Sequence, residues 1–254
     1  LADKVIGSKN ALSLGWHYRS RHTSLIDFSN YYFYDNKLTV FASNDVGSQV
    51  VHKPVENSQY RGGVNLPEVK AVMDALLEQI KSDKEKSIII ATMNQQQESE
   101  VTLALEAELQ NNKMLRDFDS KHQGNLDELV VKKLEDIQGD ERDVVIISTV
   151  YGPDADGKIT QMFGDINRAN GHRRLNVLFT RAKHKVILVT SLRSSNIKES
   201  KREGPQILKK YLEYAEKGEI TDLDRRTSGT TENAFEESIR PVSYTHLTLP
   251  TTSS

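Results

Sequence analysis

The 254-residue sequence contains no cysteine, which excludes disulfide bridges, thiolate zinc sites and cysteine-held iron–sulfur clusters. A reducing compartment suits such a chain, and a cytoplasmic location is expected. No apolar run approaches the roughly 20 residues of a membrane-spanning helix, and the longest, such as Val144 to Val150, have the length of strands. No membrane partner is expected. Excess charge is also lacking: 34 Lys and Arg stand against 36 Asp and Glu, a net charge of −2. That excludes a uniformly basic nucleic-acid coat and leaves room for a local basic patch. The seven histidines lack metal-ligand spacing. Missing, too, is the Gly-Lys-Ser/Thr turn that holds phosphates in P-loop enzymes, because the sole Gly-Lys pair, Gly157-Lys158, is followed by Ile159. Asp140-Glu141-Arg142-Asp143 has the look of a magnesium-binding acidic box. It precedes the strand Val144 to Val150, however, whereas a Walker B carboxylate sits at a strand's carboxyl end.

What is present alternates between strand and helix signals. Ser87 to Thr92 is a β-branched run suited to a strand buried on both faces, and Val101, Leu105 and Leu109 then recur at helical spacing. Leu129 to Lys132, Val144 to Val150 and Val186 to Thr190 are further strand candidates, and Arg173 to Lys183 reads as a helix. From Glu68 to Lys81 an apolar stripe at i, i+3, i+4 and i+7 follows Pro67. A second stripe, Gln206 to Lys217, follows Pro205 and stops at Gly218. This alternation predicts a parallel sheet flanked by helices, with ligands at the carboxyl ends of the strands. Leu1 is not an initiator Met, and Pro241 to Ser254 carries no Asp, Glu, Lys or Arg. The expected layout is a domain over 1–218, a linker or the start of another domain over 219–240, and a non-native tail over 241–254. Both ends suggest a piece of a longer protein.

Three segments are poorly explained by packing alone. Trp16-His17-Tyr18-Arg19-Ser20-Arg21-His22 pairs aromatics with arginines, which suits base stacking beside a phosphate. The aromatics that follow, Phe28 to Tyr34, also suit a core. Glu135 to Asp143 sets Gln138-Gly139 in a charged turn between strands, where backbone can approach a ligand or simply face solvent. Arg173 to Lys185 places Arg174 and Arg181 seven apart, on one face if the segment is helical. With Arg168, Arg173, Lys183 and Lys185 they read as a basic cluster without a neighbouring acid.

Together, and in this order, the segments resemble the second RecA-like lobe of superfamily 1 helicases, in the branch of the nonsense-mediated-decay helicase and its bacterial relatives. The likeness runs from about Ala11 to Gly218. Trp-His-Tyr-Arg-Ser, with its downstream Phe-Ser-Asn and Phe-Tyr-Asp, resembles motif IV. IIIATMNQQQ (Ile88 to Gln97) resembles the segment that contacts nucleic acid, LEDIQGDERDVVIIS resembles motif V, and RRLNVLFTRAKHKVILV resembles motif VI. The resemblance implies an α/β, RecA-like three-layer sandwich without its own Walker A. It implies ATP as ligand, with Mg2+ held by an N-terminal RecA-like lobe that these residues do not include.

By the same resemblance Tyr18 stacks on adenine, Arg19 reaches the terminal phosphates and Glu141 binds the ribose. Arg181 is then the arginine finger, Gln138 and Gly139 couple the nucleotide to the strand, and Arg174 is a further phosphate-site residue. Thr92, Asn94, Gln97 and Ser148 are implied to contact the backbone of single-stranded DNA or RNA. Two departures from the pattern, His17 for Gln and Leu178 for Ala, touch none of these roles. Thr230 to Ile239 resembles the first helix of a Vsr-type nuclease domain, for which no activity is claimed. The competing class is a helicase-like module that binds nucleic acid or protein without hydrolysis.

Overall fold

The computed structural model describes residues 15–40 and 47–221; the expected tail, most of the expected linker and the Thr230 to Ile239 stretch lie outside them. The chain divides into a compact unit, Leu1–Glu219, and a second, Ile220–Ser254. Within the first, five parallel strands form one sheet. They are β1 (Val50–Pro54), β2 (Ile88–Thr92), β3 (Val130–Lys133), β4 (Arg142–Ser148) and β5 (Ala182–Thr190), in spatial order β1-β5-β4-β2-β3. Parallel neighbours require crossovers. Those include α2 (Leu66–Ser82), α3 (Gln95–Asn111), α4 (Lys113–His122) and α5 (Gly171–Phe179), while α1 (Asp27–Phe33) precedes β1 and α6 (Glu203–Lys217) follows β5.

The period of two along each strand sorts the β-branched side chains between two apolar layers. Ile88 and Ile90 of β2, Val144 and Ile146 of β4, and Ile187 and Val189 of β5 join Val72, Met73, Leu76 and Ile80 of α2 and Val101 and Leu105 of α3 in one core. The alternate residues Ile89, Val145 and Ile147 are equally buried, so the sheet is covered on both faces as the β-branched runs predict. Aromatics hold the elements of the second layer together. Phe179 of α5 stacks on Tyr211 of α6 at 3.4 Å between centroids, and Phe28 of α1 meets both edge-on at 5.8 and 5.0 Å. Phe28 is thus a core residue.

Helix α2 has Leu66 as its first residue and Pro67 as its second, and α6 ends on Gly218 at φ +77°, both in keeping with the sequence. The expected helix from Arg173 to Lys183 is corrected. It stops at Phe179, because Ala182 already pairs with Arg142 and the Arg142 N–H bonds the Arg181 carbonyl at 3.2 Å. Two elements, β1 and α4, went unforeseen.

Two glycines fix a short 3-10 turn, Gly164–Asn167, against the helices. A Cβ on Gly171 would lie 2.0 Å from the Ile166 carbonyl oxygen, and one on Gly204 would lie 1.9 Å from the same atom. Helices α5 and α6 therefore begin in direct contact with this turn, at one and the same carbonyl.

Candidate functional site

Strands β4 and β5 start side by side, so the residues just ahead of them meet at the amino edge of the sheet. Glu141 precedes β4, while Thr180 and Arg181 join α5 to β5. The segment 16–21 is laid along this edge. Arg21 N–H donates to the Lys183 carbonyl at 2.8 Å and Ser20 Oγ to the Ala182 carbonyl at 3.3 Å. His17 shapes the bend between them, its Nε2 accepting the Ser20 N–H at 3.0 Å.

That path aims Arg19 at Glu141. The Arg19 Nε–H donates to Glu141 Oε2 at 2.7 Å, and Lys183 Nζ stands 3.3 Å from Oε1. Arg19 also donates to the Thr180 carbonyl at 3.3 Å. Tyr18 is left outside, 75% exposed, with the Arg19 guanidinium 5.6 Å from its ring centroid. Arg181 folds back over the end of α5. It donates from Nε to the Val177 carbonyl at 2.7 Å, from Nη1 to the Asp140 carbonyl at 3.3 Å and from Nη2 to Thr180 Oγ1 at 3.4 Å. A helix C-terminus is a favourable seat for a cation.

The electrostatics show how crowded the positive charge is. Burial, then the nearby Arg19, lowers the pKa of Arg181. Burial, then Arg19 and Arg181, pushes His17 down to about 4, so its ring is neutral near pH 7. The hydrogen bond from Arg19, helped by Lys183, holds Glu141 below the usual carboxylate range. An anion entering between Arg19 and Arg181 would relieve this repulsion.

Gln138 and Gly139 lie exposed in the adjoining turn, where Gly139 adopts φ +97°. Buried Ile137 anchors the turn, and Lys132 pairs with Asp140 at 2.7 Å. Tyr18, Arg19, Glu141 and Arg181 are thus brought together. Arg174 is not: with Arg181 outside the helix, the two do not share a helical face. Arg174 instead binds the Asp165 carbonyl at 3.4 Å. The basic cluster also has acids after all, since Arg168 Nη1 lies 2.6 Å from Asp165 Oδ1 and Lys183 meets Glu141.

Thr92, Asn94, Gln97 and Ser148 converge at the opposite, carboxyl edge. Asn94 caps α3, its Oδ1 accepting the Gln97 N–H at 2.8 Å. Thr92 Oγ1 donates to the Asn94 carbonyl at 2.9 Å. The Gln97 amide clasps the backbone of Asn65, accepting its N–H at 2.9 Å and donating to its carbonyl at 3.1 Å, and it also reaches Ser148 Oγ at 3.2 Å. Thr92, Gln97 and Ser148 are fully buried, so direct contact of these three with a nucleic-acid backbone is corrected: their polar atoms are spent inside the protein. Asn94 alone of the four lines a groove of about 670 Å³, together with Gln95, Gln96, Lys133, Arg168 and Arg202. The side chains singled out from the sequence therefore occupy both edges of the sheet, not the carboxyl edge alone.

With that geometry in hand, comparison with known proteins places the chain. The model of the AAA_12 family, described as an AAA domain, matches residues 2–193. The chain belongs to this AAA domain family. It is of the superfamily 1 helicase-like kind, with the α/β, RecA-like fold that the parallel sheet displays. An uncharacterized ATP-dependent helicase of Mycoplasma genitalium, MG140, is 32% identical over 211 residues. Its homolog in Mycoplasma pneumoniae is 33% identical over the same length. Each match covers 80% of this chain and 18% of the relative, so the chain spans less than a fifth of these curated proteins. A crystal structure of the C-terminal domain of a possible DNA helicase from Lactobacillus plantarum superposes with a TM-score of 0.35 at 17% identity, over 68% of this chain and 86% of that one.

The residue of this AAA domain that sequence reasoning missed is Glu68. Fully buried in α2, its carboxylate accepts from Ser148 Oγ at 2.8 Å, the Val150 N–H at 2.7 Å and the Ser191 N–H at 2.7 Å. It ties the carboxyl ends of β4 and β5 to one helix. Burial raises its pKa against the opposing pull of those donors. Beside it Val150 is held at φ +70°, a costly conformation for a β-branched residue, with its N–H on Glu68 and its carbonyl on Asn65 Nδ2 at 3.0 Å. A signal was present: Glu68 lies four residues before Val72, on the buried face of the stripe.

Proposed function

We propose that this chain is the C-terminal motor lobe of an ATP-dependent helicase or translocase, sharing its ATP site with an N-terminal RecA-like lobe. The observation that carries the reading is the amino edge itself, where an exposed aromatic ring and two mutually repelling guanidinium groups stand ready for a polyanion. The residues fit half of an ATP site. Tyr18 offers a stacking face for adenine, Arg19 a cation for the terminal phosphates, and Glu141 a carboxylate that positions Arg19 and has lone pairs left for a ribose hydroxyl. Arg181 acts as the finger, leaving its seat on α5 when a triphosphate approaches; Gln138 and Gly139 form the turn beside it. Magnesium belongs, in this reading, to the lobe that wraps the triphosphate.

Single-stranded DNA or RNA would lie in the carboxyl-edge groove, against Asn94, Lys133, Arg168 and Arg202. Thr92, Gln97, Ser148 and Glu68 act from behind by keeping that edge rigid. Lobe closure and reopening would change the grip on the strand and so move it. The test is hydrolysis. Purified alone, the 254-residue chain should not turn over ATP, whereas the same residues joined to a lobe with a Gly-Lys-Ser/Thr turn should. Robust hydrolysis by the isolated chain overturns the two-lobe account.

A further inference from the structure

Asp165 lines the carboxyl-edge groove where two cations meet, Arg168, which lines it too, and Arg174 behind it. Arg168 Nη1 is 2.6 Å and Arg174 Nη1 3.8 Å from Asp165 Oδ1, and Arg174 also binds the Asp165 backbone carbonyl. Asp165 belongs to the 3-10 turn that Gly171 and Gly204 hold in place, so the carboxylate is presented from a fixed support. Arg168 is the opposite, an exposed side chain that lines the groove together with Asp165. We infer that Asp165 occupies the place of a strand phosphate in the groove, and that single-stranded nucleic acid binds by exchanging this carboxylate for a phosphate on Arg168 and Arg174. The inference rests on the groove being the strand site.

The exchange is energetically easy. An exposed ion pair contributes little, and a guanidinium fork accepts phosphate as readily as carboxylate. Its consequence falls on the acids left behind. Glu135, on the turn after β3, also lines the groove, and burial together with a hydrogen bond to Asp165 raises its pKa. Around this pair stand Lys133, Arg168, Arg174, Arg202 and the phenol of Tyr151. Once a phosphate draws Arg168 and Arg174 away, Glu135 loses the Arg174 counter-charge and holds its proton more firmly. Strand binding therefore takes up protons and tightens as the pH falls.

The experiment is fluorescence anisotropy of an oligothymidylate of about 15 nucleotides with the full chain, at pH 8 and pH 6. Asp165→Asn should tighten binding at pH 8 by roughly two- to fivefold, the scale of one exposed ion pair. That gain should vanish in an Arg168→Ala background, and the pH dependence of the wild type should flatten. Unchanged or weaker binding by a folded Asp165→Asn variant overturns the inference and leaves the groove reading standing. Should that variant fail to fold, Glu135→Gln decides: a flattened pH profile supports the exchange, and a wild-type profile overturns it. Absence of any binding by the wild type removes the groove reading, and the exchange with it.

Discussion

Arg19 and Glu141 are joined by a 2.7 Å charge-assisted hydrogen bond across 122 residues of sequence, and this bond ties the segment before α1 to the start of β4. The pair is only partly buried, so removing it should alter stability by about 1 kcal/mol or less. Its geometric role is larger, because it fixes the direction of the Arg19 guanidinium. On the proposed shared ATP site, Glu141→Ala in the chain joined to an N-terminal lobe is expected to leave the melting temperature nearly unchanged and to lower ATP turnover by roughly 10²-fold, the scale of a misplaced catalytic group. Paired calorimetry and steady-state kinetics would check the split.

Arg181→Lys tests the finger while keeping a positive charge. Lysine cannot reproduce the planar contacts to Val177, Asp140 and Thr180. A loss of about 10³-fold or more in turnover, with little change in the affinity for nucleic acid, is the expected result. A variant that keeps most of its turnover would remove the finger role.

His17 supplies a pH-dependent stability. Its pKa is about 4 in the folded protein, against 6.5 for the free side chain, so the unfolded chain takes up a proton that the folded one refuses. Stability is fully present above pH 6.5 and declines as the pH falls toward 4. His17→Gln should remove this part of the decline. Thermal melts of both proteins at pH 7 and pH 4.5 should show a smaller drop for the variant.

Gly171→Ala and Gly204→Ala each drive a methyl group into the Ile166 carbonyl. Each should destabilise by about 1–3 kcal/mol, the range for forced overpacking, and should weaken strand binding by shifting Asp165 and Arg168. Gly15→Ala, where a Cβ meets nothing within 4 Å, serves as the neutral control. Equal melting temperatures for all three would contradict the close approach.

The sheet strands were readable wherever burial on both faces left an unbroken β-branched run, as in Ile88 to Thr92. Strand β1 gave no such signal, because His52, Lys53 and Pro54 at its edge position break the apolar pattern. Helix α4 hides for a similar reason: it commits only Leu115, Phe118 and His122 to the interior. Among the site residues, Tyr18, Arg19, Glu141 and Arg181 meet in space, while Arg174 goes elsewhere because strand pairing at Ala182 ends the helical register early. The burial of Thr92 and Ser148 follows from their places in strands covered on both faces, whereas that of Gln97, on a polar helix, was not legible from its own position. A polar side chain turns inward only when a partner awaits it, and here the partners are the Asn94 carbonyl for Thr92, the Asn65 backbone for Gln97 and Glu68 for Ser148.

Strand β4 carries Glu141 just before its first residue and hands Ser148 and Val150 to Glu68 at its far end. Its seven residues span about 23 Å. It is paired on both sides, with one register shift between Arg142 and Val144 against β5. One strand therefore carries a residue of each rim, and the amino-edge cluster and the Glu68 network are joined through a single stretch of backbone with no loop in between.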